Sequence, residues 1–330
     1  MKDKDDSKVL KDTIIDIPGI KVGHSQDLKA GTGCTVVICE KGAIAGVDVR
    51  GGAPGTRETD LLNLVNLVSQ IQAIYLGGGS AFGLDGASGV MKYLEERGIG
   101  FDVVVTKVPI VPGAVLFDLG VGDYRVRPDA KMGYEACLKA SEGEVSQGNV
   151  GAGTGATVGK LFGGLRCMKS GLGTASFKSQ ELIIGAIVAV NCFGDVVDPE
   201  SGEIIAGVLT EDKKGFVNTM SLLKSLPQGS GNGFSKNTTI GVIATNAKLT
   251  KAGATKVAMM AQDGYARTIS PAHTMFDGDT IFCMATGEIE VGVNMVGAIA
   301  AEVMARAIIK AVKSAESLYG LLSYQDLFKK

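Results

Sequence analysis

The sequence contains no tryptophan, and aromatic residues make up only 5% of its 330 residues. A folded core must therefore be built from Val, Ile, Leu, Ala and Met, and the apolar content of 45% allows a large one. The length suits one large domain or two domains of ordinary size.

Strong charge and long apolar runs are also missing. The formal net charge is −2 and no Lys/Arg-rich run stands out, so nothing attracts a phosphate backbone and no nucleic-acid partner is expected. No apolar run approaches the length of a membrane span, and the charged residues 1–8 are not followed by an apolar segment. These features predict a cytoplasmic protein without membrane contact.

Histidine and paired cysteines are equally scarce. A histidine metal cluster would need both His24 and His273 with help from carboxylates, so no metal and no cofactor is expected. His273, close to Asp277 in sequence, is interpreted as a loop or supporting residue. No Cys-x-x-Cys pair occurs, which predicts buried, reduced thiols at positions 34, 39, 137, 167, 192 and 283.

Short β-branched runs alternate with Gly-rich turns and with segments of helical spacing along the whole chain. This alternation predicts an α/β or layered α+β fold. The predicted strands cover residues 35–39, 43–49, 73–76, 101–105, 183–191, 240–245 and 280–284. The predicted helices cover residues 60–70, 87–97, 129–141, 252–266 and 292–317. A polar, Gly- and Ser-containing stretch at about 210–237 is the one clear shift in composition.

Two Gly-rich runs invite a phosphate-binding or nucleophile-turn interpretation. Residues 151–160, GAGTGATVGK, fail as a P-loop because Thr154 stands where a glycine is needed and Leu161 follows the lysine. They match the dinucleotide fingerprint only in its loose form, after a polar stretch that is a poor strand. Residues 77–83 lack the G-x-S-x-G pattern of a hydrolase elbow and predict a tight strand-to-helix turn.

Thr238 stands where a polar loop meets an apolar strand, in the sequence Asn237-Thr238-Thr239. It is either the ordinary start of a strand or a point where the chain cuts itself. After such a cut, the new terminal threonine would carry a hydroxyl nucleophile and an α-amine base on one residue.

Three other positions could support that chemistry. Asp277 and Asp279 are two residues apart before a strand, so they point to the same side and repel unless a cation, a metal or a shared proton lies between them. The protonated amine of an N-terminal threonine would be a suitable cation. Asn191 ends a buried apolar run, where its amide could donate a hydrogen bond to an oxyanion. Taken alone, each of these could be an ordinary loop residue.

Several long, ordered motifs together resemble the DmpA-like aminopeptidases, the L-aminopeptidase/D-amidase-esterases. They are residues 46–60 (GVDVRGGAPGTRETD), 77–83 (GGGSAFG), 151–155 (GAGTG), 169–176 (KSGLGTAS), 237–239 (NTT) and 271–279 (PAHTMFDGD). That family includes the β-aminopeptidases and the nylon-oligomer (6-aminohexanoate-oligomer) endohydrolases. The resemblance covers nearly the whole chain, and the Asn-Thr junction resembles the nylon-hydrolase branch most.

The resemblance implies a four-layer αββα sandwich of the N-terminal-nucleophile hydrolase type. It also implies self-cleavage into a large subunit, residues 1–237, and a small subunit, residues 238–330. The two would stay associated as one folded domain and assemble into a tetramer or larger homo-oligomer of these heterodimers. The implied activity is hydrolysis of amide bonds in small peptides or amino-acid oligomers.

The resemblance also assigns roles to residues. Thr238 would be the nucleophile and new N-terminus, Asn191 the oxyanion donor, and Asp277 and Asp279 the groups that orient and charge-balance the amine.

Two further assignments come from the same resemblance. Lys169 would lie against the threonine hydroxyl, and Tyr134 would line the substrate pocket. The motif here has Lys-Ser-Gly where the family is expected to have Lys-Gly-Gly, so Lys160 competes for the lysine role.

The chemistry would begin when the Thr238 hydroxyl attacks the Asn237 carbonyl in an N→O acyl shift. Water would then cleave the ester and free an α-amine with a reference pKa of roughly 7.7–8.0, suited to a general base. An acyltransferase of the ornithine acetyltransferase type would share this nucleophile. A non-catalytic metabolite-binding α/β protein would instead stay intact. Whether Thr238 or Thr239 becomes the terminus, and whether cleavage of substrate is exo or endo, stays open.

Overall fold

The computed structural model describes residues 10–225 and 237–328. The strands are β1 (Lys21–Asp27), β2 (Thr32–Val49), β3 (Gly55–Arg57), β4 (Gln70–Gly77), β5 (Phe101–Asp102), β6 (Lys107–Val108), β7 (Gly113–Val115), β8 (Thr157–Val158), β9 (Met168–Lys169), β10 (Leu172–Ser179), β11 (Leu182–Ala189), β12 (Asp195–Val197), β13 (Ile204–Ala206), β14 (Ile240–Ala247), β15 (Ile269–Ser270) and β16 (Thr280–Ile289). The α-helices are α1 (Gly86–Glu95), α2 (Ala130–Leu138), α3 (Thr219–Ser225), α4 (Lys251–Thr268), α5 (Val293–Lys313) and α6 (Tyr324–Phe328).

The long strand β2 joins two groups of strands. Its first part pairs with β1 and β4, and its last part pairs with β16. The pairing register of β2 with β4 shifts between Ile38 and Ala43, where Gly42 has a φ of +82°. The resulting order is β10-β11-β14-β16-β2-β4-β7-β3, with β1 paired to β2. One strand therefore runs from one sheet layer into the other.

Three separate apolar clusters show that the molecule has four layers. One cluster lies between helices α4 and α5 and the strands β10, β11, β14 and β16. A second lies between helices α1 and α2 and the strands β2 and β4. The third lies between the two groups of strands. This arrangement confirms the predicted αββα sandwich.

The alternation of side chains on β14 explains why this strand is buried on both faces. Ile240, Val242 and Ala244 belong to the cluster between the sheets, whereas Ile243 and Ala247 belong to the cluster under α4 and α5. Successive side chains on a strand point to opposite faces, so an unbroken apolar run fits a strand covered on both sides.

The predicted helix at residues 60–70 is wrong. Only Asp60–Leu62 form a short 3-10 turn, and strand β4 already begins at Gln70. The Asn66 side chain donates to the carbonyl of Asp60, and Lys251 Nζ donates to the carbonyls of Leu61, Asn66 and Val68. These bonds satisfy backbone groups that a helix would otherwise use.

The other long helices are confirmed, and two have the expected side-chain caps. The Asp129 carboxylate accepts from the N–H of Met132 at the start of α2, and Thr250 Oγ1 accepts from Gly253 at the start of α4. The six cysteines are free and buried, as predicted. Within the described ranges, no helix has the length and apolarity needed to cross a membrane.

Candidate active site

The parallel pairing of β14 with β16 brings the predicted cleavage junction beside the two aspartates. Ile240 pairs with Thr280, so the residues that precede each strand also lie side by side. An isolated parallel bridge joins Asn237 to Asp277. Two segments that are far apart in sequence therefore meet at one end of the sheet.

The Asn237–Thr238 peptide is held at both of its polar groups. The Asn237 carbonyl accepts from the N–H of Gly278 at 3.0 Å, and the Thr238 N–H donates to the Asn191 carbonyl at 2.9 Å. The Thr238 hydroxyl contacts the carbonyl oxygen of Asn237. A hydroxyl and the carbonyl that it would attack are thus already neighbours.

Thr239 has a different environment from Thr238. Its N–H donates to Asp279 Oδ1 at 2.8 Å, and its side chain is fully buried. Thr238, in contrast, lines an open pocket together with Asn237. The structure therefore distinguishes the two threonines that the sequence left as alternatives.

Asn191 lies just beyond the end of β11 and is fully buried. Its Oδ1 accepts from Lys160 Nζ at 2.6 Å and from the N–H of Thr157 at 3.0 Å, and its Nδ2 donates to the Phe117 carbonyl at 3.0 Å. These bonds fix the orientation of the amide. Since Nδ2 carries two hydrogens, the Phe117 bond uses one of them.

Lys160 lies beside both the carbonyl and the side chain of Asn191. Its Nζ donates to the Asn191 carbonyl at 3.1 Å as well as to Oδ1. Burial lowers the pKa of Lys160 to about 8, and the nearby charges of Asp277 and Asp118 oppose that effect. The candidate site thus contains a cation next to the predicted oxyanion donor.

Lys169 has other neighbours. Its Nζ donates to the carbonyls of Gly153 (3.1 Å), Ala156 (3.2 Å) and Ser170. Burial lowers the pKa of Lys169 to about 7. Among the contacts of the described residues, none joins Lys169 to Thr238, whereas Lys160 lies beside Asn191.

The two aspartates are each 1% exposed and bind backbone N–H groups. Asp277 accepts from the N–H groups of Phe193 and Thr274, and Asp279 accepts from those of Thr239 and His273. Burial and the charge of Asp279 raise the pKa of Asp277 to about 6. Each aspartate therefore fixes backbone segments around Thr238.

His273 supports Asp279, as the sequence predicted for a supporting residue. Its Nδ1 lies 2.9 Å from Asp279 Oδ2, and its ring stacks on Tyr265 with a centroid distance of 6.0 Å. The histidine has a φ of +58°, a left-handed backbone conformation that is uncommon for residues other than glycine.

The glycine-rich residues 46–60 pack against the segment that carries the two aspartates. The N–H groups of Arg50 and Ala53 donate to the carbonyls of Asp279 and Asp277, at 2.9 and 2.8 Å. A Cβ on Gly51 would lie 2.3 Å from the Asp277 carbonyl oxygen. This segment therefore needs a glycine in order to bind the back of the aspartate segment.

The pocket beside Thr238 has a volume of about 660 Å³ and is mainly apolar. No Asp, Glu, Lys or Arg is among the described residues that line it. Arg127 stacks over the ring of Phe82, a lining residue, at 4.1 Å from the ring centroid. The lining consists of Ala53, Pro54, Gly55, Ser80, Ala81, Phe82, Val115, Leu116, Phe117, Leu119, Asn237, Thr238, Met275 and Phe276.

Tyr134, which is predicted to line the substrate pocket, is not among the residues that line the pocket beside Thr238. It lies on α2 in an outer helical layer, where its hydroxyl donates to Glu96 Oε2 at 2.7 Å and its ring packs against Tyr93. It lines a different pocket between α1 and α2. The aromatic residues near Thr238 are instead Phe82, Phe117 and Phe276.

Sequence reasoning missed Asp118. Its carboxylate accepts from the N–H of Gly79 and from Thr32 Oγ1, both at 2.7 Å, and burial raises its pKa to about 6. It lies close enough to Lys160 and Lys169 to influence both. No sequence motif marked it, because its partners come from three separate segments.

The Gly-rich residues 151–160 do not form a phosphate loop. Gly151–Gly153 form a short 3-10 turn that is followed by β8 rather than by a helix. The carbonyls of Gly153 and Ala156 in this run accept from Lys169 Nζ instead. In residues 10–225 and 237–328, no group of three or more His, Cys, Asp or Glu side chains is arranged to hold a metal ion.

Residues 12–324 match the family model of peptidase family S58. The chain is 43% identical to an uncharacterised aminopeptidase of Mycobacterium leprae over 96% of this chain and 94% of that protein. It is 32% identical to a 6-aminohexanoate-oligomer endohydrolase of Kocuria sp., over 90% of this chain and 85% of that protein.

The fold is similar to a solved structure from Ochrobactrum anthropi, an L-aminopeptidase D-Ala-esterase/amidase described as a new variant of the Ntn hydrolase fold. The TM-score is 0.71 at 17% identity, over 94% of this chain and 88% of the other. The chain belongs to peptidase family S58, which confirms the resemblance to the DmpA-like enzymes. The predicted hydrolase of amide or peptide bonds is likewise confirmed.

Proposed function

We propose that this member of peptidase family S58 is a self-processing amidohydrolase whose nucleophile is Thr238. The observation that carries the proposal is the contact between the Thr238 hydroxyl and the Asn237 carbonyl, which the Gly278 N–H also binds. A hydrogen bond to a carbonyl oxygen polarises it and stabilises the oxyanion that forms when it is attacked.

In the first stage, the Thr238 hydroxyl oxygen bonds to the Asn237 carbonyl carbon and the carbon–nitrogen bond breaks. The proton of the hydroxyl ends on the amine, which leaves an ester between Asn237 and the threonine. Water hydrolyses this ester to the Asn237 carboxylate and a free Thr238. The Asn191 carbonyl, 2.9 Å from the Thr238 nitrogen, holds the new amine in place.

In the second stage, the amine accepts the hydroxyl proton and the oxygen attacks the amide of a small peptide or amino-acid oligomer. Asn191 donates to the oxyanion, and Lys160 keeps the Asn191 amide oriented through Oδ1. Asp277 and Asp279 place negative charge near the amine and hold the segments around it. Water then hydrolyses the acyl-enzyme.

The two fragments would remain one folded unit because their strands are interleaved. Strand β14 of residues 238–330 pairs with β11, and β16 pairs with β2, so the small fragment forms the centre of the sheet. Residues 226–236 of the predicted loop lie outside the described residues. Assembly of these heterodimers into a tetramer or larger oligomer stays a prediction.

Intact-mass analysis of the purified protein tests the proposal. Wild-type protein should give two masses, for residues 1–237 and 238–330, and both the mature protein and its amidase activity should be missing in Thr238→Ala. Thr239→Ala is the matched control, because its buried hydroxyl does not line the pocket, and it should still be cut after residue 237. Cleavage in Thr238→Ala would disprove the role of Thr238.

A further inference from the structure

We propose that the backbone of residues 276–278 is the binding subsite for the acyl residue of the substrate, and that it selects α-aminoacyl groups which carry an N–H. The inference rests on the proposed function of Thr238, and it adds the chemical class of the acyl group. It is based on how Asn237 occupies this position in the uncut chain.

Asn237 binds residues 276–278 through two groups of its own backbone. Its N–H donates to the Phe276 carbonyl at 3.2 Å, and its carbonyl accepts from the Gly278 N–H at 3.0 Å. This is the pattern of one residue added to a strand edge. The carbonyl in this pattern is the same one that the Thr238 hydroxyl contacts.

The acyl residue of a substrate must occupy the position that Asn237 occupies before cleavage. The ester formed in maturation joins an acyl group to the Thr238 oxygen while the amine is free. The acyl-enzyme formed in turnover has the same bond and the same free amine, and only the acyl group differs. One nucleophile in one pocket therefore presents both acyl groups to the same two backbone groups, the Gly278 N–H and the Phe276 carbonyl.

The subsite keeps its shape without Asn237, because other bonds hold it. The Ala53 N–H donates to the Asp277 carbonyl at 2.8 Å, and the Asp277 side chain binds the N–H of Thr274 at 3.0 Å. The Gly52 N–H donates to the Thr274 carbonyl at 3.1 Å. These bonds preorganise the edge before a substrate arrives, which reduces the cost of binding.

The two hydrogen bonds set a chemical requirement on the acyl group. The N–H and the carbonyl that bind Phe276 and Gly278 belong to one residue, so a single carbon atom separates the nitrogen from the carbonyl carbon. A β-alanyl group has two such carbons and a 6-aminohexanoyl group has five, so neither can form both bonds in this geometry. An N-methylated or prolyl acyl residue in a peptide lacks the N–H.

A series of p-nitroanilides tests this requirement on the mature wild-type enzyme. The acyl groups are alanyl, β-alanyl and 6-aminohexanoyl, each with a free and with an acetylated amine, together with N-acetyl-N-methylalanyl. Within the series that is hydrolysed, kcat/KM should be highest for alanyl. The β-alanyl and 6-aminohexanoyl compounds of that series should be lower by about ten- to a hundredfold, because their N–H cannot reach the Phe276 carbonyl while the acyl carbonyl binds Gly278. The N-acetyl-N-methylalanyl compound should be lower than N-acetylalanyl by a similar factor, because it has no N–H.

The junction itself provides a second test that does not depend on added substrate. Asn237→Pro and Asn237→Ala both lose the asparagine side chain, but only the proline lacks the N–H. Self-cleavage of Asn237→Pro should be at least about tenfold slower than that of Asn237→Ala on a timed denaturing gel.

The outcomes separate this inference from the proposed function. Equal or faster hydrolysis of the β-alanyl or 6-aminohexanoyl compounds, or equal self-cleavage of the two junction variants, overturns the subsite while Thr238 keeps its role. An uncut wild-type chain without amidase activity overturns the proposed function, and the subsite with it.

Discussion

Two buried lysines lie only nine positions apart in sequence, but only one of them contacts a residue of the candidate site. Lys160 donates to the side chain and carbonyl of Asn191, whereas Lys169 donates to three backbone carbonyls. Burial lowers the pKa of each. A lowered pKa therefore does not identify the functional lysine here. The group that each ammonium contacts is what distinguishes them.

The Gly-rich residues 151–160 contribute to both the stability of the fold and the candidate site. Lys169 joins the carbonyls of Gly153 and Ala156 and so closes the turn on itself. Lys160, at the end of the same run, crosses to the residue that follows β11. We expect Lys169 to contribute to stability and Lys160 to catalysis.

Among the variants that compare the two lysines, the largest effect is expected when the partner of Lys160 is removed. Asn191→Ala should slow both self-cleavage and turnover by about 100- to 1000-fold, because it deletes the proposed oxyanion donor. The double variant Asn191→Ala, Lys160→Met should be no slower than the single one, since Lys160 acts through Asn191. Timed gels and anilide assays give both rates, and normal cleavage in Asn191→Ala would refute its role.

Direct replacement of each lysine should have the next largest effect. Lys160→Met should slow self-cleavage by about 100-fold, since the Asn191 amide loses the bond at 2.6 Å that orients it. Lys169→Met should stay within about threefold of wild type. The comparison fails if Lys169→Met is the slower of the two while its circular dichroism spectrum remains that of the wild type.

The pH dependence of self-cleavage should also separate the lysines. In the uncut chain the Thr238 nitrogen is an amide, so it does not titrate. The rate of self-cleavage should fall as pH rises through about 8, where Lys160 loses its proton. The Lys169→Met variant should show the same fall. If the rate instead falls near pH 7, and this fall is missing in Lys169→Met, the ammonium charge needed for self-cleavage belongs to Lys169.

The smallest effect concerns stability. The pKa of Lys169 is about 7 in the folded chain and higher in the unfolded chain, so the unfolded state binds more protons between these values. Folding stability therefore rises with pH in this window. Between pH 7 and 8.5, wild type should gain about 1–2 kcal/mol relative to Lys169→Met in urea titrations. Parallel pH dependences of the two proteins would contradict this assignment.

Much of the fold could be predicted from local patterns, but some contacts could not. The apolar runs of β11, β14 and β16 and the spacing of α4 and α5 were sufficient to predict those elements. Residues 60–70 have the spacing of a helix, yet Lys251 binds three of their carbonyls from another layer. A pattern within eleven residues contains no information about a cation 190 positions away.

Some residues of the candidate site could likewise be predicted from the sequence, and others could not. Thr238, Asn191 and the aspartate pair could be chosen because short motifs surround them. The motif around Tyr134 does not show which face of α2 a pocket lies on, and Tyr134 lines a different pocket from Thr238. Asp118 was missed because it is defined only by partners from other segments.

The sequence by itself determined the family, the layered α/β class and the candidate nucleophile, because these depend on ordered motifs and on local periodicity. The tertiary structure alone decided which lysine meets Asn191 and which edge binds Asn237. The physical reason is that hydrogen bonds form between atoms about 3 Å apart, and strand pairing sets those distances. The parallel register of β14 and β16 brings Asn237 to Gly278, across forty residues of intervening chain.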